Sequence, residues 1–420
     1  MRKILILGGK PIGSVELTER CKQRKLYTIV TDYLPLESSP AKQVADEVWD
    51  ISTNDVDLLA EKCKEQGVDG VLTAVHEFNI NRMIDLCEKL NLPCYCNRDT
   101  WRYCDNKLEF KNLCSEARIE VARKYDLVNA VNKLKVSKTP VIVKPVDGSG
   151  SRGFSICKTQ QELETAIDRA KQFSPTEQVI IEDFIPYDAV IIHYTMHHGK
   201  CYFSGITDKY SVRFPSTGAS VMGLQLMPSK GLLEYLDLVD SKVRVMFENA
   251  GFTDGPIWIE AFYDGASRFV FNEMGYRFGG SMTNYPVKYY YQIDQMDLMI
   301  DIAMSEPKRE LSVVPSNMNK KYCILPIHLH HGRIKCINGL DELRRRDYIN
   351  AIAQVHYFGD IIQEWGSAQQ VFCYVHILFE DSNDLMTKIK HIMDLLQVRD
   401  ENNQNMLYTL YDINSIESLC

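Results

Sequence analysis

The sequence predicts an α/β protein of two or three domains, on three observations. The chain has 420 residues, more than one hydrophobic core usually serves. Its first hundred residues alternate short apolar strands with amphipathic helices, the pattern of a parallel sheet with crossover helices. Its later two thirds carry longer apolar strand-like runs joined by short turns, as in Pro256–Phe262 and Arg268–Glu273.

The elements follow in order. Ile4–Leu7 reads as a buried strand, Gly8–Gly13 as a turn and Ser14–Arg24 as a helix. Tyr27–Val30 is a strand ending at Asp32, Glu47–Asp50 a short edge strand, Asp55–Gln66 a helix and Gly70–Thr73 a strand. Asn79–Leu90 is a helix and Pro93–Cys96 a strand. A boundary is expected within Asn97–Asp105, before the helix that carries Lys107. A second α/β region runs to about Pro307, and Ser305–Asn319, rich in Ser, Pro and Asn, reads as a linker. The strands Tyr322–His328 and Val371–Phe379 and the helix Asn383–Gln397 follow. The expected domains are therefore 1–100, 101–310 with a lid subdomain at about 125–185, and 311–420.

Composition excludes several function classes. Hydrophobic residues make up 45% and charged residues 25%, as in a soluble globular protein. A net charge of −8 argues against broad nucleic-acid affinity. No apolar run approaches the roughly 18 residues needed to span a bilayer. The opening Met-Arg-Lys-Ile-Leu-Ile-Leu-Gly-Gly is too short and too soon broken by glycine for a signal peptide, so a cytoplasmic location is expected. The 13 cysteines are scattered without a Cys-x-x-Cys pair and read as reduced thiols, a reading favoured over a metal site at the close pair Cys94 and Cys96 as well.

Several motifs carry chemistry, each against a plainer alternative. Gly8-Gly-Lys-Pro-Ile-Gly13 with Asp32 faintly resembles a dinucleotide fingerprint, but the spacing is wrong and Pro11 interrupts it. A tight turn between strand and helix is the better reading. Lys144 ends an apolar run and is followed by Asp147-Gly-Ser-Gly-Ser-Arg-Gly153. There Gly148, Gly150 and Gly153 let backbone approach a phosphate, and Ser149 and Ser151 add hydroxyl donors. A mobile strand–loop–strand cover over a triphosphate is favoured over a plain flexible hairpin. In Val179–Ile185, Glu182 and Asp183 interrupt an apolar strand. A buried carboxylate needs a partner, and an adenine amino group is one, unless the acids sit at an edge facing water. Asp188, just beyond, is a candidate for ribose hydroxyls.

Glu260 and Glu273 form the strongest pair. Their strand-like runs are joined by the short turn Tyr263–Ser267, so the two carboxylates can face each other across a hairpin. Facing carboxylates repel unless a cation lies between them, and hard oxygen ligands suit Mg²⁺, whereas a salt bridge with Arg268 or Arg277 is the alternative. Arg277 is positioned to stabilise anionic oxygens during phosphoryl transfer. His328-Leu-His-His331 reads as structural or surface histidine, His197-His-Gly-Lys200 as a hairpin tip and Tyr289-Tyr-Tyr291 as helix packing.

Taken in order, these motifs resemble the ATP-grasp superfamily over nearly the whole chain, in the branch of biotin carboxylase, carbamoyl phosphate synthase and L-amino acid ligases. The resemblance implies an N-terminal pre-ATP-grasp parallel α/β domain, a two-lobed α+β nucleotide clamp and a small α+β C-terminal domain. It implies that Lys107 and Lys144 are the ATP-binding lysines, that Gly148–Gly153 is the lid, and that Glu182 holds adenine with Phe184 and Ile185 contributing backbone. It implies that Glu260 and Glu273 ligate Mg²⁺, or Mn²⁺ in its place, and that Arg277 contacts the transferred phosphate. Two positions depart from the family pattern. Gly275 stands where Asn is expected, with water or Asn272 as the substitute ligand, and Asp188 stands one residue out of register for the ribose.

The expected activity is ATP-dependent joining of a carboxylate to an amine through an acyl phosphate, with ADP and phosphate released. The segment from Thr207 to Arg213 and on through Gly223–Pro228 falls where the family has acceptor loops, and Lys209 and Arg213 are candidates for gripping a carboxylate. The alternatives are a bicarbonate-activating, carbamoyl-phosphate-synthase-like enzyme and a nucleotide-binding regulator with weak turnover. Expected partners are small-molecule carboxylates and amines, not nucleic acid or membrane, and the resemblance implies a homodimer as the form to test.

Overall fold

The structure is a computed structural model that describes residues 1–147, 153–306, 310–311 and 319–418. Most of the expected phosphate loop (Gly148, Ser149, Gly150, Ser151) and most of the expected linker at 305–319 lie outside the described residues.

The N-terminal region is the expected parallel sheet. Its order is Glu47–Trp49, Tyr27–Thr31, Lys3–Leu7, Gly70–Leu72, with Glu47–Trp49 at one edge. Helices Ser14–Gln23, Pro40–Val44 and Val56–Gln66 lie between successive strands, and Glu77–Leu90 follows the last of them. Ile4, Leu5, Ile6 and Leu7 are all fully buried, which a strand covered on both faces requires. Pro93–Cys96 corrects the sequence reading, because it is not a strand. Pro93 lacks a ladder donor. Tyr95 is buried against Tyr276 instead: its hydroxyl donates to Tyr276 O at 3.0 Å, and the Tyr276 hydroxyl donates back to Tyr95 O at 3.0 Å. The apolar character of this segment serves tertiary packing. The expected boundary stretch is also structured. Asn97 and Thr100 form a reciprocal cap that starts the helix Arg98–Asp105, and Asn106 then caps the helix Lys107–Glu116.

A small antiparallel sheet follows, ordered Lys124–Tyr125, Val179–Asp183, Val141–Pro145, Ser155–Cys157. Helices Leu127–Val136 and Gln160–Gln172 pack on it, around Ala130, Leu134, Val143, Leu163, Ala166 and Ile181. The second helix starts at a Thr159–Glu162 capping box, a signal legible in the sequence.

Most strands of the remaining chain build a nine-stranded antiparallel sheet, beside two small two-stranded ones. Its order is Phe269–Gly275, Gly255–Tyr263, Asp188–His197, Lys200–Arg213, Ser220–Met227, Lys321–Leu329, Val371–Phe379, Ile349–Gln354, with Leu407–Tyr408 also pairing on Lys321–Leu329. The C-terminal strands thus extend the central sheet, joined through Gln225↔Ile324 and its neighbours. They keep a core of their own, in which Phe372, Val375, Leu385, Ile389 and Ile392 meet. The turn at His198 and Gly199, both at positive φ, makes the expected hairpin tip. Tyr290 and Tyr291 are buried on the helix Asn284–Tyr291.

Candidate functional site

The site grows from one irregularity in the hairpin of Gly255–Tyr263 and Phe269–Gly275. Glu260 is registered opposite Glu273, but a bulge follows, because Ala261 pairs with Phe271. Asn272 is the unpaired extra residue, and a bulge re-aims its side chain. Asn272 Nδ2 donates to Glu260 Oε1 at 2.8 Å, and Asn272 Oδ1 accepts from Lys144 Nζ at 2.7 Å. Lys209 Nζ donates to Glu260 Oε2 at 2.5 Å, and Lys107 Nζ lies 3.8 Å from Glu273 Oε2. Burial acts to raise the pKa of Glu260, but Lys209 and Asn272 outweigh it and hold the carboxyl below its usual range.

A cavity of about 270 Å³ opens over this cluster, and Glu77, Lys107, Lys209, Glu260, Glu273 and Arg277 all line it. Glu77 comes from the start of the helix Glu77–Leu90, so the N-terminal region completes the site. Arg277 Nη2 donates to Glu77 Oε1 at 2.7 Å, and Arg277 Nη1 to Phe278 O at 2.8 Å. The guanidinium also sits 5.2 Å from the Trp258 ring.

Trp258 explains why position 275 is glycine. The two residues are cross-strand partners, and a Cβ on Gly275 would lie 2.3 Å from Trp258 Nε1. The indole fills the space that a side chain at 275 would need, and Asn272 supplies the amide beside Glu260.

Lys144 and Glu182 sit just beyond the cavity lining. Both are buried, and Lys144 Nζ lies 2.5 Å from Glu182 Oε1 while also reaching Asn272. Two hydrogen bonds through Asn272 therefore connect Lys144 to Glu260, and Glu260 pairs with Glu273. Lys111, one helical turn after Lys107, is 3.0 Å from Glu182 Oε2. Burial acts to raise the pKa of Glu182; the two lysines overcome this and lower it.

Other sequence candidates fall elsewhere. Asp183 faces away from Glu182, accepts from the Tyr125 hydroxyl at 2.9 Å and contacts Lys133, because successive strand residues alternate faces. Phe184 N donates to Pro140 O at 3.4 Å, and Ile185 packs with Ala122 and Val270. Asp188 is exposed at the start of its strand, and Gly153 borders the small sheet with Pro145 and Phe173 against it. Arg213 does not join the cluster. It is exposed at its strand's end, where Nη1 donates to Gly218 O at 3.2 Å. The expected acceptor loops are in fact the paired strands Lys200–Arg213 and Ser220–Met227, and from them Lys209, Met222 and Gln225 face the cavity. Asp32 accepts from Gly9 N at 2.7 Å, in the Gly8–Gly13 turn, and from Ser39 Oγ at 2.8 Å. His328 is fully buried, and desolvation pushes its pKa down to about 4, so it is a neutral core residue. Among the described residues, no three His, Cys, Asp or Glu side chains gather as a metal-holding group.

Sequence reasoning missed Glu77, Trp258 and Lys111. Lys111 carried a signal, its i+4 spacing from Lys107 on one helix face. Glu77 carried none, because the helix start that bears it is brought to Arg277 only by packing between regions.

Comparison with known proteins agrees with this architecture. Residues 137–285 match the ATP-grasp domain family. The chain carries an ATP-grasp domain and adopts the ATP-grasp fold. Over 206 residues it is 25% identical to the formate-dependent phosphoribosylglycinamide formyltransferase of Wolinella succinogenes, covering 47% of this chain and 51% of that protein. The enzyme of the same name from Prochlorococcus marinus is 30% identical over 193 residues, covering 44% and 48%. The alignments thus span about half the length of these curated relatives. Among solved structures, the biotin carboxylase domain of Hydrogenobacter thermophilus 2-oxoglutarate carboxylase superposes with a TM-score of 0.79 at 16% identity, covering 100% of this chain and 93% of that one. The L-amino acid ligase of Bacillus licheniformis superposes at 0.74 and 18% identity, covering 96% and 99%.

Proposed function

We propose that this chain is an ATP-dependent ligase that activates a carboxylate as an acyl phosphate and passes the acyl group to an amine. The observation that carries this reading is one cavity over which Lys107, Lys209 and Arg277 converge on the facing carboxylates Glu260 and Glu273. Cations beside paired carboxylates suit phosphoryl transfer, where catalysis is mostly positioning and charge neutralisation.

A carboxylate oxygen attacks the γ-phosphorus of ATP, and the bond from that phosphorus to the β–γ bridging oxygen breaks to release ADP. The amine nitrogen then attacks the acyl carbon, phosphate leaves, and the amine loses a proton to give the amide. Lys107 and Arg277 hold the anionic oxygens, while Lys209, already bonded to Glu260, sits where the incoming carboxylate meets the phosphate. Glu77 fixes the Arg277 guanidinium. Glu260, Glu273 and Asn272 offer hard oxygen donors that fit Mg²⁺ or Mn²⁺, which would supply charge neutralisation on the phosphates. Lys144, the 148–153 loop, Glu182 and the backbone of Phe184 and Ile185 are the proposed nucleotide contacts, with Asp188 proposed for the ribose.

The test is ADP release with ATP and Mg²⁺ against a panel of carboxylate–amine pairs. Because the curated relatives are named for formate-dependent formylation of phosphoribosylglycinamide, formate with that amine is the first pair. Bicarbonate and free amino acids follow. ADP formed in step with an amide product supports the reading. Absence of pair-dependent ADP across the panel overturns it.

A further inference from the structure

The charge cluster beneath the cavity holds one cation more than its carboxylate needs. Lys144 and Lys111 both approach Glu182, at 2.5 Å and 3.0 Å, on opposite oxygens. The three side chains are almost wholly enclosed, at 9%, 1% and 3% exposure for Lys144, Lys111 and Glu182 respectively. The next carboxylate, Glu260, is committed to Lys209. Two ammonium groups therefore share one carboxylate in a region where unbalanced charge is costly. The two lysines are not equivalent. Lys144 lies on the small sheet and also reaches Asn272 of the central sheet, so it bridges the two sheets at the cleft. Lys111 is fixed on the helix Lys107–Glu116, and its Nζ has no aligned hydrogen-bond partner.

We propose that Lys111 is the permanent counter-ion of Glu182, a positioning residue that frees Lys144 to turn from Glu182 and Asn272 to an anionic nucleotide phosphate. The inference rests on the ligase reading, in which Lys144 and Glu182 contact ATP. Without Lys111, a departing Lys144 would leave an uncompensated buried carboxylate, so Glu182 would hold Lys144 back from the phosphate. With Lys111 in position, the excess positive charge in the cluster is available to the ligand. Burial first, and then the neighbouring charge of Lys144, draw the Lys111 pKa down to about 8, and Glu182 is the group that works against both.

ATP binding to the full chain by isothermal titration calorimetry, with Mg²⁺ present, tests this in wild type, Lys111→Met, Lys111→Arg, Glu182→Gln and the Lys111→Met/Glu182→Gln double variant. Lys111→Met is expected to raise the Kd for ATP at least ~30-fold, the scale set by stranding a buried charge. Lys111→Arg should remain near wild type. The double variant should fall within about threefold of Glu182→Gln alone, because the carboxylate that needed Lys111 is gone. Should Lys111→Met fail to fold, a folded double variant with that same affinity supports the proposal, and an unfolded one overturns it by making Lys111 a packing residue. Wild-type affinity in a folded Lys111→Met also overturns it, with the ligase reading intact. A wild-type protein that binds no ATP overturns both.

Discussion

Replacing Gly275 with alanine tests the account of the least expected residue in the site. The added Cβ would stand 2.3 Å from Trp258 Nε1 and 2.4 Å from Cε2. Carbon contacts are comfortable at about 3.5–4.0 Å, so the indole must move by more than about 1 Å. Trp258 is held in strand register opposite Gly275 and lies against the Arg277 guanidinium. Overpacking of this kind costs about 1–3 kcal/mol, and disturbing a partly desolvated cation–π contact adds roughly 0.5–2 kcal/mol. At about 2–4 °C per kcal/mol for units of 150–250 residues, the melting transition should fall by roughly 3–20 °C. Scanning calorimetry reads this directly, and pair-dependent ADP release should fall as Arg277 is displaced. Trp258→Ala in the same chain should relieve the clash, so the double variant should be more stable than the sum of the single losses by about 1 kcal/mol or more. A Gly275→Ala protein that melts with wild type, or a strictly additive double variant, would refute the steric account. Gly275→Asn, which installs the residue the family pattern leads one to expect, should lower ADP release; a gain would have the same consequence.

Glu273→Gln should abolish ADP formation while circular dichroism and melting stay near wild type, and unchanged turnover would remove Glu273 from the proposed metal site. Arg213→Ala should leave ADP release within about twofold of wild type, since its side chain is exposed at a strand end; a loss above about tenfold would mean that Arg213 reaches the substrate. Glu77→Ala should lower kcat/KM at least about tenfold by freeing Arg277, with Glu77→Gln recovering part of the loss by keeping a hydrogen-bond acceptor. His328 gives a pH prediction. Burial lowers its pKa from 6.5 to about 4, so as pH falls through that window the unfolded chain binds a proton that the folded chain refuses. The stability contribution is complete above pH 6.5 and declines toward pH 4, a span worth about 3 kcal/mol. Replacing His328 with leucine should flatten the pH dependence of the urea midpoint between pH 6.5 and 4, and an unchanged slope would contradict the buried neutral assignment.

Local pattern was enough for the parallel sheet, the helices between and after its strands and the Glu260–Glu273 pairing, because strand alternation and a short turn act within a few residues. Pro93–Cys96 failed on the same grounds: its apolar residues serve a contact with Tyr276, some 180 positions away, which no window contains. Arg213 failed because a cation near a motif was credited to the cavity, while the strand carries it out to solvent.

Which charges exist, and in what order, is written in the chain, and its apolar periodicity and turn residues lay out many of the elements that carry them. Which of those charges meet is a matter of how the segments pack. The bulge that turns Asn272 toward Glu260, the indole that occupies the space at Gly275, the helix that brings Glu77 to Arg277 and the burial that makes Lys111 share Glu182 all depend on packing between segments far apart in the chain. Side-chain pairing across such distances is set by close packing in three dimensions, and no periodicity along the chain encodes it.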